Sequence, residues 1–197
     1  MLAAAAVGWA VVVDRSESLM MNGGAFPYLA LWVAMTAAMM LPSAAPMLML
    51  VDRLAHRATP LFGLGYVVSW TAFGTAAYIV SSGIDWHGTA ALLAGAGVYQ
   101  LLPFKRSCLR RCRNPLAFLR AHASEPPFAV GLRHGAFCVG CCAGLMVVLL
   151  ALGMASIVWM ALLALVIAVE KTWRRGELLA PASAVALLSA AAWMVVA

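Results

Sequence analysis

Five cysteines stand in two groups, Cys108 and Cys112, then Cys138, Cys141 and Cys142. Spacing of i,i+4 puts Cys108 and Cys112 on one face of a helix, and the second group combines i,i+3 with i,i+4, so its sulfurs share a face as well. Facing thiolates of this kind suit soft ions, Cu(I) first and Zn(II) second. A single cysteine is a small apolar side chain, but five in two tight groups point to a shared ligand. Cys138-Val139-Gly140-Cys141 is also a Cys-x-x-Cys at the start of a helix. There the helix dipole, Arg133 and His134 would stabilise a thiolate for disulfide exchange.

Further soft donors lie near these cysteines in the pattern. Relative to Cys138, Cys142 falls about 40° and Met146 about 80° round the helix, whereas Gly140 and Gly144 fall on the opposite side. The helix thus divides into a liganding face and a small-x-x-x-small packing face. His134, one turn before Cys138, adds an imidazole. A second sulfur group reads Met35-Thr-Ala-Ala-Met39-Met40-Leu-Pro42-Ser43-Ala-Ala-Pro46-Met47. Met35 and Met39 share a face, and thioether sulfur suits Cu(I) without deprotonation. Pro42 and Pro46 each delete a backbone donor and kink the helix, a setting in which membrane proteins place ion sites. Asp52 and His56, also i,i+4, read as a solvated pair.

The elements that carry these residues must be apolar. Of the 197 residues 65% are hydrophobic and 10% charged, with mean hydropathy +0.96; such a chain lacks the polar surface to cover a water-soluble globule. The expected fold is an all-α, polytopic transmembrane helical bundle forming a single integral membrane domain. A span needs about 17–25 apolar residues, which places spans near 25–50, 61–82, 88–104, 135–152, 154–169 and 179–197, with residues 1–13 as a seventh. The apolar run from Gly135 to Val169 is too long for one crossing and is expected to break at Leu152-Gly153-Met154. Residues 105–133 form the one sizeable loop.

Charge orients the bundle. With seven spans, all 13 Lys and Arg except Arg15 fall on one side, which makes that side cytoplasmic and leaves the C-terminus outside. The location expected is the bacterial inner membrane. All five cysteines then share the reducing side, where structural disulfides are disfavoured. The net charge of +6 reads as a topology signal and an anchor on anionic headgroups, not as nucleic-acid binding. No nucleotide-binding loop is present, and no Asp, Glu, Lys or Arg is expected deep in a span, so neither ATP nor a proton relay drives transport.

Three segments carry a family resemblance: Ala38-Met-Met-Leu-Pro-Ser-Ala-Ala-Pro-Met47, Tyr99-Gln-Leu-Leu-Pro-Phe-Lys-Arg-Ser-Cys-Leu-Arg-Arg-Cys-Arg-Asn-Pro115 and Gly131-Leu-Arg-His-Gly-Ala-Phe-Cys-Val-Gly-Cys-Cys-Ala-Gly-Leu-Met146. From Leu31 to Lys171 the chain resembles a bacterial family described as predicted metal-binding integral membrane proteins, a domain of unknown function. The resemblance implies a multi-helix membrane protein that binds metal through these three segments. The Met35/Met39 spacing is also similar to the Met-x-x-x-Met of eukaryotic high-affinity copper transporters.

The leading expectation is a Cu(I)-handling membrane protein, exchanging ions between Met35, Met39, Met47 and Met146 and the thiolates of Cys108, Cys112, Cys138, Cys141 and Cys142, with His134 as a further ligand. It would transport copper or deliver it to a membrane oxidase or metallochaperone partner, and its small-residue faces would permit a homo-oligomer. No catalytic residue is assigned. Two alternatives remain open: a structural or assembly subunit of a larger membrane oxidase, stabilised by zinc, and a thiol-disulfide redox protein using Cys138 and Cys141.

Overall fold

The computed structural model describes residues 2–21, 24–81, 86–152, 156–173 and 175–196, and among these every regular element is helical. In chain order the α-helices are α1 (Leu2–Met21), α2 (Ala25–Met35), α3 (Leu41–Ser43), α4 (Ala45–Leu54), α5 (Thr59–Ser81), α6 (Trp86–Leu101), α7 (Pro103–Cys112), α8 (Pro115–Ala121), α9 (Pro127–Leu152), α10 (Ile157–Thr172) and α11 (Leu179–Val196). Four stretches among the described residues are long and apolar enough to cross a membrane: Ala25–Ser43, His56–Val80, Pro127–Leu152 and Leu179–Val196. Helices α6 and α10 have 16 residues each, about 24 Å of helix against a hydrocarbon core of about 30 Å. The break expected at Leu152-Gly153-Met154 falls partly on residues outside those described; helix runs to Leu152 and resumes at Ile157.

The core is built on α5 and α9, which make the most extensive contact among the described residues. They cross closely because glycine removes the side chains between them. A Cβ on Gly131 would sit 2.1 Å from the Phe62 carbonyl oxygen, and one on Gly65 would sit 2.2 Å from that of Phe128. Beside this crossing the Ser69 hydroxyl donates to the Leu132 carbonyl at 2.7 Å. Helices α6 and α7 cover a second side of α9, and α11 packs on α6. Helix α2 lies against α5, where the Trp32 indole donates to the Trp70 carbonyl at 2.9 Å.

Two features follow from proline. The methionine-rich stretch is not one kinked span but a broken one: α2 widens into a π turn over Thr36–Met40, in which the Leu41 N–H reaches back to the Thr36 carbonyl, then passes through α3 and restarts at Ala45. Pro42 and Pro46 lack the N–H groups that a continuous ladder needs, and π turns of this kind recur at functional sites. The connection expected at residues 105–133 is largely helical. Pro103, Pro115 and Pro127 each open a helix, where the missing N–H costs nothing and φ is already set. Residues Leu102 and Asn114 before them leave the helical region, with ψ of 138° and 69°. Helix α9 consequently starts at Pro127, eight residues before the start expected for that span, and Cys138 lies near its middle.

Candidate metal centre

The cysteine-bearing face of α9 is closed off by α5, α7, α10 and the broken second helix. Cys138, Cys141 and Cys142 are all buried, and their sulfurs lie within 4.8 Å of one another. The Sγ atoms of Cys141 and Cys142 are 3.4 Å apart, and the Cys141 thiol donates to the Cys138 carbonyl at 3.1 Å. From α7, Cys112 brings a fourth sulfur to 3.8 Å from that of Cys141. All five cysteines are free thiols. A metal–sulfur bond is about 2.3 Å, so one ion spans sulfurs up to about 4.6 Å apart. The contacts of 3.4 and 3.8 Å fall within that reach.

Polar side chains converge on the sulfur of Cys138. The Tyr66 hydroxyl of α5 lies 3.1 Å from it and the Lys171 ammonium of α10 donates to it at 3.0 Å. Both groups tie the cluster to the broken helix. Lys171 also donates to the Ser43 hydroxyl at 2.9 Å, and Ser43 and Tyr66 donate to the Met40 carbonyl at 2.8 and 3.3 Å. That carbonyl also accepts the Ala44 N–H at 3.0 Å, so the methionine-rich segment meets the cysteines through its backbone.

The other residues singled out from the sequence divide. Cys108 shares a helix face with Cys112 but turns to Gly140, where an added Cβ would lie 2.7 Å from its sulfur. Burial pushes its thiol up, against a smaller opposing effect of Arg111, which makes it less ready to ionise. Met35, Met39, Met47 and Met146 are buried in the same core as the cluster. His134 does not join the three sulfurs; its ring sits among Phe62, Tyr66 and Phe118, with centroids 5.4–5.9 Å away, and among the described residues its Nδ1 has no hydrogen-bond partner. Gly140 and Gly144 face α7 and α6, meeting Cys108 and Tyr99. Asp52 and His56 form an exposed pair at 2.6 Å. The Thr59 hydroxyl first, then His56, holds the Asp52 carboxyl below the usual carboxylate range.

Sequence reasoning missed Tyr66, Ser43 and Lys171, and with them a second buried polar centre. The Lys105 ammonium donates to both carboxylate oxygens of Glu170, at 2.9 and 2.8 Å, and to the Gln100 side-chain oxygen. All three side chains are buried, with Lys105 and Glu170 just beyond the spans expected at 88–104 and 154–169. One signal was available. Glu170-Lys171 is the first charged pair after an uncharged stretch that begins beyond His134.

With this geometry in view, comparison with known families becomes specific. A family described as PpoB2, copper chaperone, matches residues 29–194. The chain belongs to that family. Neither a curated protein nor a solved structure matches it. The PpoB2 match runs through the broken methionine-rich helix, α7 and α9, so it includes every residue of the cluster. Membership in a copper chaperone family and a buried Cys138/Cys141/Cys142 group together support copper-related metal binding. The donor chemistry agrees, since packed thiolates favour copper and zinc over hard cations.

Proposed function

We propose that this chain is a membrane-embedded copper chaperone that takes Cu(I) on Cys112, Cys138, Cys141 and Cys142 and delivers it to a partner enzyme, such as a membrane oxidase. The observation that carries the reading is the buried group of three sulfurs on α9, with the half-buried Cys112 of α7 bringing a fourth to 3.8 Å from one of them. Thiolates hold the cuprous state because both partners are soft. The buried methionines beside the π turn offer weaker thioether sites from which cargo passes to the thiolates. Delivery is favoured over pumping because the family is one of chaperones and the sequence lacks a nucleotide-binding loop. Hydropathy and the one-sided Lys and Arg distribution favour six or seven spans in the bacterial inner membrane, basic side inward. Arg106, Arg110 and Arg111 of α7 would then meet anionic headgroups.

Elemental analysis of detergent-purified protein exposed to limiting Cu(I) and Zn(II) under reducing conditions tests the reading. Wild type should retain near-stoichiometric copper, Cys112→Ser should retain it weakly, and Cys138→Ser/Cys142→Ser should lose it. Cys108→Ala, whose sulfur faces Gly140, should keep it. Full retention by the double variant refutes the site, tight zinc in place of copper points to a structural role, and a reversible Cys138–Cys141 disulfide in metal-free protein points to thiol exchange.

A further inference from the structure

The charge surrounding the cluster has a direct bearing on which ion it accepts. Cys138, Cys141 and Cys142 are each at most 2% exposed, so an ion bound there leaves water and the net charge of the whole site becomes decisive. Two neighbouring residues of α10 divide the nearby charge between them. Glu170 is satisfied by Lys105 through both oxygens, and that pair contributes no net charge. Lys171 turns the other way, to the Cys138 sulfur and the neutral Ser43 hydroxyl. Among the described residues it is the cation within hydrogen-bonding reach of a cluster sulfur. Tyr66, the other polar group at that sulfur, is neutral.

We propose that Lys171 is the fixed counter-ion of the cluster and makes it select a monovalent, thiolate-bound cargo over a divalent one. This deepens the copper reading above and rests on it. Loading converts two thiols and one Cu(I) into a bis-thiolate complex of charge −1 and two released protons. The Lys171 ammonium brings that complex to neutrality in a medium that penalises any net charge. A divalent ion on the same two thiolates is already neutral, and Lys171 then leaves an unbalanced positive charge. The balance holds when two of the cluster's sulfurs bind as thiolates and the others stay thiols; a third thiolate would leave the Cu(I) complex at −1 and the divalent one neutral beside Lys171. Lys171 is a positioning and specificity residue in this scheme; its proton stays in place and it makes no bond to the metal.

The test compares Cu(I) with Hg(II), a closed-shell ion that also favours two thiolates but carries one more charge. Full-length protein in detergent is titrated with each ion against competing chelators, for wild type, Lys171→Met, Lys171→Gln and Lys171→Arg. Glutamine keeps a donor toward Ser43 while losing the charge, so it separates electrostatics from hydrogen bonding. Thermal transitions verify that each variant is folded. Residues beside the first ligand shell typically change metal affinity by about 10–100-fold. Lys171→Met and Lys171→Gln should lose Cu(I) affinity in that range while Hg(II) affinity is unchanged or higher, and Lys171→Arg should behave as wild type. Equal weakening of both ions, or Lys171→Gln matching wild type, overturns the counter-ion role while leaving the copper reading intact. Wild type that takes up no Cu(I) overturns the copper reading and this inference with it.

Discussion

Two lysines, Lys105 buried and Lys171 half-buried, define two different uses of charge in this molecule. Lys105 is held by Glu170 and Gln100, and its charge is balanced within the folded chain. Lys171, whose neighbour in sequence is the other lysine's partner, is instead held by a thiol and a hydroxyl. Successive residues of a helix diverge by about 100°, and that turn alone sends Glu170 to α7 and Lys171 to the cysteines. The first centre fastens α6, α7 and α10 together. The second places a positive charge beside four soft donors and is balanced only when the sulfurs carry negative charge. Burial of charge is costly without a partner, so a lysine beside thiols marks a site built for an anionic complex.

The sharpest way to break this contrast is to strip one partner from the balanced centre. Lys105→Met leaves Glu170 as an uncompensated buried carboxylate and should cost about 3–5 kcal/mol, read as a large fall in the thermal transition in detergent. Replacing both, Lys105→Met/Glu170→Met, should recover most of that loss, because an apolar pair can substitute for a buried ion pair. Copper retention by the recovered double variant should match wild type if the two centres are as separate as their contacts indicate.

Gly131→Ala should act on the other centre. Its Cβ would meet the Phe62 carbonyl oxygen at 2.1 Å, and forcing α5 from α9 should cost about 1–3 kcal/mol, as overpacking does. The displacement moves Tyr66 away from Cys138, so Cu(I) affinity should fall along with stability, whereas removing the ion pair should lower stability alone.

The smallest effect is expected at the exposed pair. The Asp52 and His56 side chains are 46% and 86% exposed, and Asp52→Asn should leave the thermal transition at neutral pH within experimental scatter. Because the Asp52 carboxyl is held below its usual range, any stability it contributes is present above the unfolded carboxylate value and fades as pH falls through the lowered folded one. A difference between wild type and Asp52→Asn that grows toward neutral pH would show that exposure does not separate these centres after all.

The sequence already contained the chemistry of the site. Cys138, Cys141 and Cys142 are neighbours because helical spacing makes them so, and no tertiary contact is needed to put their sulfurs on one face. The broken second helix was also legible, since Pro42 and Pro46 cannot continue a ladder, although the π turn before them was not. Within the basic connection at residues 105–133 the shared helical face of Cys108 and Cys112 was legible, and the prolines at 103, 115 and 127 mark where its helices and α9 start.

What tertiary structure decided is which side chains from distant segments share a point. Cys108 and Cys112 are equivalent by spacing, yet only Cys112 reaches Cys141, because the close approach of α7 to α9 at Gly140 takes up the position of Cys108. His134 is one turn from Cys138 and still sits among aromatic rings, since the same crossing that brings Tyr66 to the cluster surrounds it with Phe62 and Phe118. Lys171 is 33 residues from Cys138 in the chain, and periodicity along one helix carries no information about the partner that another helix presents. Local spacing is fixed by the backbone repeat and is written in the sequence; the meeting of Lys171, Tyr66 and Ser43 at one sulfur depends on how four helices pack, which glycine and proline positions constrain but only the assembled fold determines.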